Sequence, residues 1–195
     1  MSKSDPIKES ASQTAGPYVH IGLAPEAAGF DIYQQELGRD IIDPNIEGNL
    51  IAITGRVVDG KGAPVTDVLI EVWQADANGI YQQEAQNRFR GWGRVIPDFE
   101  TGMFTFRTIK PGSVRDRNGR QMAPQLNLWL VSRGINIGLN TRMYFGDEVE
   151  TNELDPVLSS VQPGRRKTLI ARPDGSNYHF EIHLQGRDET VFFDV

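Results

Sequence analysis

A chain of 195 residues with a net charge of −6 and no cysteine is one domain's worth of sequence, able to bury about 70% of its unfolded surface without covalent staples. The absence of thiols removes disulfides, thiolate metal sites and cysteine nucleophiles together and fits a reducing compartment, here the cytoplasm by default, while the acidic balance argues against nucleic acid as a partner. No run of about 18 apolar residues offers a membrane span, and the opening "MSKSDPIKESASQTAGPY" has no apolar signal-peptide core.

Residues 1–48 read as an arm. Met1 to about Gln13 is polar and without periodicity, "TAGPY" is turn-like, and an irregular stretch with scattered acids runs on to Gly48. From residue 49 to 195 the pattern is that of a β domain. "LIAITGRVVDG" is rich in β-branched residues and ends on the Asp59-Gly60 turn signal. "VLIEVWQAD" (68–76) alternates Val68, Ile70 and Val72 against Leu69, Glu71 and Trp73, and Asn78-Gly79 turns the chain. "GMFTFRTI" (102–109), "LNLWLVS" (126–132), "RMYF" (142–145) and "YHFEIHLQG" (178–186) predict further strands, and "TVFFDV" closes the chain. One helix is predicted over Asp155–Val161, with Asp155 as cap and Pro156 at its first position. Short strands between Gly/Pro/Asn turns predict an all-β fold: an antiparallel β-sandwich with long loops, an N-terminal arm and one or two short helices.

Few residues suggest chemistry. His179 and His183 stand four apart, a helical zinc spacing. On an alternating strand, however, that is roughly 13 Å, too far for one ion. The alternation places Tyr178, Phe180, Ile182 and Leu184 inward and His179, Glu181 and His183 outward. The acidic run 146–155 lacks the spacing of a calcium loop and reads as solvated. The basic clusters 115–120 and 164–167 also read as solvated loops. Arg133 follows the apolar strand and precedes a glycine, so its planar fork is either a surface ion pair or a carboxylate receptor. These residues give a β-sandwich without a self-contained catalytic constellation, and a non-catalytic β-sandwich binding module stays open.

Several segments carry a resemblance. "SQTAGPYVHIGL" (12–23), "GRVVDGKGAPVTDVLIEVWQADANGIY" (55–81) and "FRTIKPG" (106–112) resemble the intradiol ring-cleaving dioxygenases. "GWGR" (91–94), "RGINIGLNTRMYF" (133–145) and "DETVFFDV" (188–195) resemble the alpha side of that family's two-chain, protocatechuate-cleaving branch. The resemblance implies Fe(III) held by two tyrosinates and two histidines, with O₂ opening the ring between its hydroxyl-bearing carbons to give 3-carboxy-cis,cis-muconate. By the motifs, Tyr81 stands at the first tyrosine position and Val114 at the second. Ala123 replaces an arginine, and Leu126 and Leu128 replace the histidines. One ligand of four implies no metal and no catalytic residue in this chain, with Fe(III) bound by a homologous beta chain. The resemblance further implies a substrate pocket at the chain interface, lined from this side by Thr14, Ala15, Gly16, Pro17 and Arg133. The arm would clasp the beta chain, and the alpha-beta units would assemble further.

Overall fold

The computed structural model describes residues 10–11, 13–16, 18–33, 38, 41–42, 46–81 and 89–194. Among the described residues eleven strands form in chain order: β1 (Leu50–Val58), β2 (Leu69–Trp73), β3 (Trp92–Val95), β4 (Met103–Ile109), β5 (Val114–Arg115), β6 (Gln121–Met122), β7 (Gln125–Val131), β8 (Leu139–Phe145), β9 (Ile170–Asp174), β10 (Asn177–His179) and β11 (Ile182–His183). Short helices are α1 (Val19–Leu23), α2 (Val149–Leu154), α3 (Pro156–Ser160) and α4 (Pro163–Arg166). The fold is therefore sheet-rich with few short helices, as the turn-punctuated sequence predicts.

Tight turns form where an aspartate opens the loop. Asp59, Asp76 and Asp116 each accept backbone N–H bonds two and four residues ahead through one carboxylate oxygen. This is the local bonding that favours Asp in turns. The cluster 115–120 is the exposed loop expected, here the turn of a β5–β6 hairpin, with Arg120 paired to Asp116 at 2.7 Å. The cluster 164–167 is likewise structured, since α4 occupies it and Arg166 donates to the Val161 and Ser159 carbonyls. The acidic run 146–155 is not loop throughout either. It contains α2, and ahead of that helix Asp147 and Glu148 both pair with Lys110 at 2.7 Å.

The sheet order is β11-β1-β10-β9-β8-β7-β2-β3, with β4 also on β1. Its ladders are not all antiparallel. β1 pairs in parallel with β10 and β11, and β8 with β9. The sheet is mixed, which corrects the antiparallel expectation. Turn signals report hairpins, but parallel neighbours need long crossovers, and residues 146–169 with their helices supply one. The single strand expected over 178–186 is split. β1 passes from β10 to β11 at Gly55, where a Cβ would lie 1.8 Å from the Phe180 carbonyl oxygen. Phe180 donates its N–H to the Thr54 carbonyl at the same crossing.

One buried cluster joins Ile51, Ile53 and Val57 of β1 to Ile70 and Val72 of β2 and to Leu126, Leu128 and Leu130 of β7. Distant parts of the sheet therefore share a core, and each fully buried aliphatic chain stabilises it by about 1.5–3 kcal/mol. Ile41 joins that cluster, and the Gly38 carbonyl accepts from Arg94 N–H, so the segment before β1 is tied to the sheet. α1 lies on the other side of β2 and β7, where Val19 and Leu23 pack with Leu69 and Val131.

Candidate functional site

Tyr81 is delivered by the "WQAD" turn. The Gln74 amide donates to the Ile109 carbonyl and accepts from Thr108 Oγ1, locking the end of β2 to β4. Asp76 then folds the loop, with Gly79 at φ +78°, and Tyr81 returns to stack on Trp73 with ring centroids 6.1 Å apart. The Tyr81 hydroxyl accepts from Asn127 Nδ2 at 3.0 Å. Beside the pair lies a cavity of about 490 Å³ bordered by Trp73, Trp92, Asn127, Trp129 and Arg142.

This geometry leaves Tyr81 alone among the four ligand positions, with the leucines on the core side as their shared strand face predicts. Leu126 and Leu128 point into the main core and cannot meet Tyr81. The face of β7 that reaches Tyr81 carries Asn127 and, by alternation, Gln125. A slip of one residue exchanges the faces of a strand, so the positions opposite the phenol are amides rather than leucines. The apolar stripe Leu126-Leu128-Leu130 in the sequence already contains that signal. Val114 is buried against Ala75 and Met122, with Tyr81 at the edge of the same small cluster, and Ala123 is fully buried.

The second group surrounds Arg133. β7 ends at Val131, and Ser132 to Ile135 turn the chain, the Ile135 N–H donating to the Ser132 carbonyl. Thr14 Oγ1 accepts from the Gly134 N–H at 2.7 Å, which sets the arm directly on this turn. Gly16, at φ +75°, donates to the same Thr14 oxygen at 3.5 Å, and Ala15 between them is exposed. Pro17 lies outside the described residues. Arg133 is ion-paired through Nε to Asp67 at 3.3 Å, yet its side chain remains 65% exposed. An open groove of about 540 Å³ runs past Asp67, Arg133, Gly134, Leu139 and Leu184.

The outward histidines flank one carboxylate. His179 Nε2 is 3.9 Å and His183 Nε2 3.7 Å from the Glu181 oxygens. Among the described residues no group of three or more His, Asp or Glu is arranged to hold a metal ion. No helix among them is long and apolar enough to cross a membrane.

Residues 31–186 match the family described as Dioxygenase. The chain is 49% identical to the protocatechuate 3,4-dioxygenase alpha chain of Pseudomonas putida, across 96% of this chain and 97% of that one. The chain belongs to the intradiol dioxygenase family. It is also 35% identical to the protocatechuate 3,4-dioxygenase beta chain of Burkholderia cepacia, over 73% of this chain and 67% of that one. The fold agrees, since the dioxygenase domain of a carbohydrate-binding fusion protein from Streptomyces sp. SirexAA-E superposes with a TM-score of 0.57 at 22% identity, across 78% of this chain and 88% of that one.

Intradiol dioxygenases use non-heme iron, and the described residues around Tyr81 do not fit a ferric ion. Fe(III) is a hard cation that favours anionic oxygen and imidazole donors. The face opposite Tyr81 offers neutral amides, Val114 is aliphatic, and the phenol already accepts a hydrogen bond. All three histidines of the chain lie elsewhere in the sequence, at 20, 179 and 183.

Proposed function

We propose that this chain is the non-iron-binding alpha subunit of protocatechuate 3,4-dioxygenase, lining a substrate pocket whose Fe(III) belongs to a homologous beta chain. The reaction opens the ring of protocatechuate with O₂ between its hydroxyl-bearing carbons, giving 3-carboxy-cis,cis-muconate. One observation carries the reading. The Thr14–Gly134 bond joins the arm to the arginine turn, whereas the described residues on the Tyr81 side offer no further anionic or imidazole donor for a ferric centre.

In this reading Thr14, Ala15, Gly16 and Pro17 form one side of the pocket. Gly16 lets backbone approach the ligand closely, and Pro17 fixes the chain's direction. Arg133 presents its guanidinium to the ring carboxylate, a charge-assisted and geometrically selective pairing. The chain itself binds and orients, and the partner's metal does the redox chemistry. Residues 1–48 clasp the beta chain, and residues 49–195 form the family's two-layer β-sandwich, which a core shared by β1 and β7 supports. Exposed Tyr18, Phe30, Ile32, Tyr33 and Ile137 supply apolar surface for that partner and for further alpha-beta assembly. The cytoplasm is the compartment that a cysteine-free chain fits.

Co-expression with a beta chain that carries the ligands tests this. The complex is expected to be red-brown and to cleave protocatechuate, and the lone chain to be colourless and inert. Arg133→Ala in the complex is expected to raise KM for protocatechuate about tenfold and to leave KM for unsubstituted catechol unchanged. Stoichiometric iron held by the lone chain's own side chains would overturn the proposal. Equal changes for both substrates would refute the role of Arg133.

A further inference from the structure

We infer that Asp67 is a positioning residue for Arg133, fixing which edge of the guanidinium is turned toward the substrate carboxylate; this rests on the reading of Arg133 just given. Arg133 is 65% exposed and extends from a turn, so packing among the described residues does little to select one rotamer for its long side chain. Asp67 is the opposite case. Its side chain is only 17% exposed, and it directly precedes the fully buried Val68 and Leu69 that lead into β2. Its Oδ1 accepts from Ser132 Oγ at 3.1 Å, and its Oδ2 faces Arg133 Nε at 3.3 Å. One carboxylate thus grips two consecutive residues of the turn.

The choice of nitrogen matters. A guanidinium can receive a carboxylate along its Nε/Nη edge or end-on between the two Nη groups. With the Asp67 carboxylate ion-paired on the Nε side, the end-on fork is the face left for a second anion. On the far side of the turn Thr14 Oγ1 takes the Gly134 N–H at 2.7 Å, so the residues flanking Arg133 are held from both directions. The groove of about 540 Å³ bordered by Asp67 and Arg133 gives the fork an open approach.

Asp67 has two effects of opposite sign on substrate binding. Its negative charge weakens the pull of Arg133 on an incoming carboxylate, while its grip restricts the fork to one orientation. The direction of the KM change on removing it therefore decides between them. In the alpha-beta complex, Asp67→Ala is expected to raise KM for protocatechuate at least about threefold, with kcat within about twofold and KM for unsubstituted catechol unchanged. Asp67→Asn keeps an oxygen that can accept from Ser132 Oγ but loses the charge that pairs with Arg133, and is expected to fall between wild type and Asp67→Ala. Adding Asp67→Ala to Arg133→Ala is expected to change nothing further, as for two residues acting through one contact.

A fall in KM, or no change, in Asp67→Ala overturns the inference. So does an unaltered additional penalty in the Arg133→Ala background. Where Asp67→Ala does not assemble, Asp67→Asn carries the test, and wild-type KM for protocatechuate in that variant counts against positioning. Arg133→Ala measured alongside separates the two levels. If it affects both substrates alike, the carboxylate role fails and this inference with it. If it discriminates between them and the Asp67 variants do not, only the positioning role fails.

Discussion

Asp155 shows how much one side chain can join. Its Oδ1 accepts from the Val157 and Leu158 N–H groups and from the Tyr144 hydroxyl, and its Oδ2 accepts from the Ala123 N–H. The residue is completely buried. Burial, and then the neighbouring Asp155 charge, push the Tyr144 phenol far up, so it stays a donor. Removing the carboxylate leaves several donors unsatisfied in a dry site, where each costs about 1–3 kcal/mol. Asp155→Ala is therefore expected to lose about 3–5 kcal/mol of unfolding free energy in urea, well above the ~1 kcal/mol of an ordinary cap. A loss of only ~1 kcal/mol would show that the capping bonds act alone. The cap was legible in the sequence because Asp-Pro before an apolar turn is a local signal. The bonds to Tyr144 and Ala123 were not, because they depend on where other strands pass. Asp67 was hidden for the same reason: its partners Ser132 and Arg133 lie far along the chain.

Elements with local punctuation were legible, and elements defined by their neighbours were not. The turns at Asp59-Gly60 and Asn78-Gly79 lie where the sequence places them, and β4, β7 and β8 lie within a few residues of their predicted spans. The parallel seating of β10 and β11 on β1 has no turn to announce it. The split of the predicted strand 178–186 depends on Gly55, a residue more than a hundred positions earlier. At the candidate site the apolar stripe of β7 marked its core face, but that Asn127 on the other face meets Tyr81 depends on how the loop after β2 returns. Gly55→Ala tests the crossing directly. Its Cβ would fall 1.8 Å from the Phe180 carbonyl oxygen and 2.8 Å from the Phe104 ring, both anchored in the core. The neighbours cannot yield without breaking the Phe180–Thr54 bond. A loss of about 3 kcal/mol or more is expected by chemical denaturation, with amide protection falling first at 177–183. A stability change under ~1 kcal/mol would mean the β1 crossing is looser than drawn.

For the molecule as a whole, the carboxylates set the lower pH limit. Asp59 is held below the usual carboxylate range by the N–H groups of Ala63 and Lys61, and Asp98 by the N–H and hydroxyl of Thr101. Asp188 is lowered by the Lys167 ammonium. In Asp116 and Asp147 partial desolvation pulls upward, but the bonds from Arg120 and from Lys110 with Tyr178 win. Folded values below the unfolded value of about 3.9 mean that the unfolded chain binds more protons across that window. The stability these groups contribute is then complete above the unfolded value and is lost as pH falls through the folded ones. Protonation also leaves 20 Lys and Arg and three His with little negative charge to balance them. The thermal midpoint of this chain is expected to be nearly flat between pH 7 and 5 and to fall steeply below about pH 4. Asp98→Asn cannot titrate and tests the cause: it is expected to lower the midpoint at pH 7 and to flatten the acid limb. An acid limb of unchanged steepness in that variant would assign the loss to general charge repulsion, and its sensitivity to added salt would then be large.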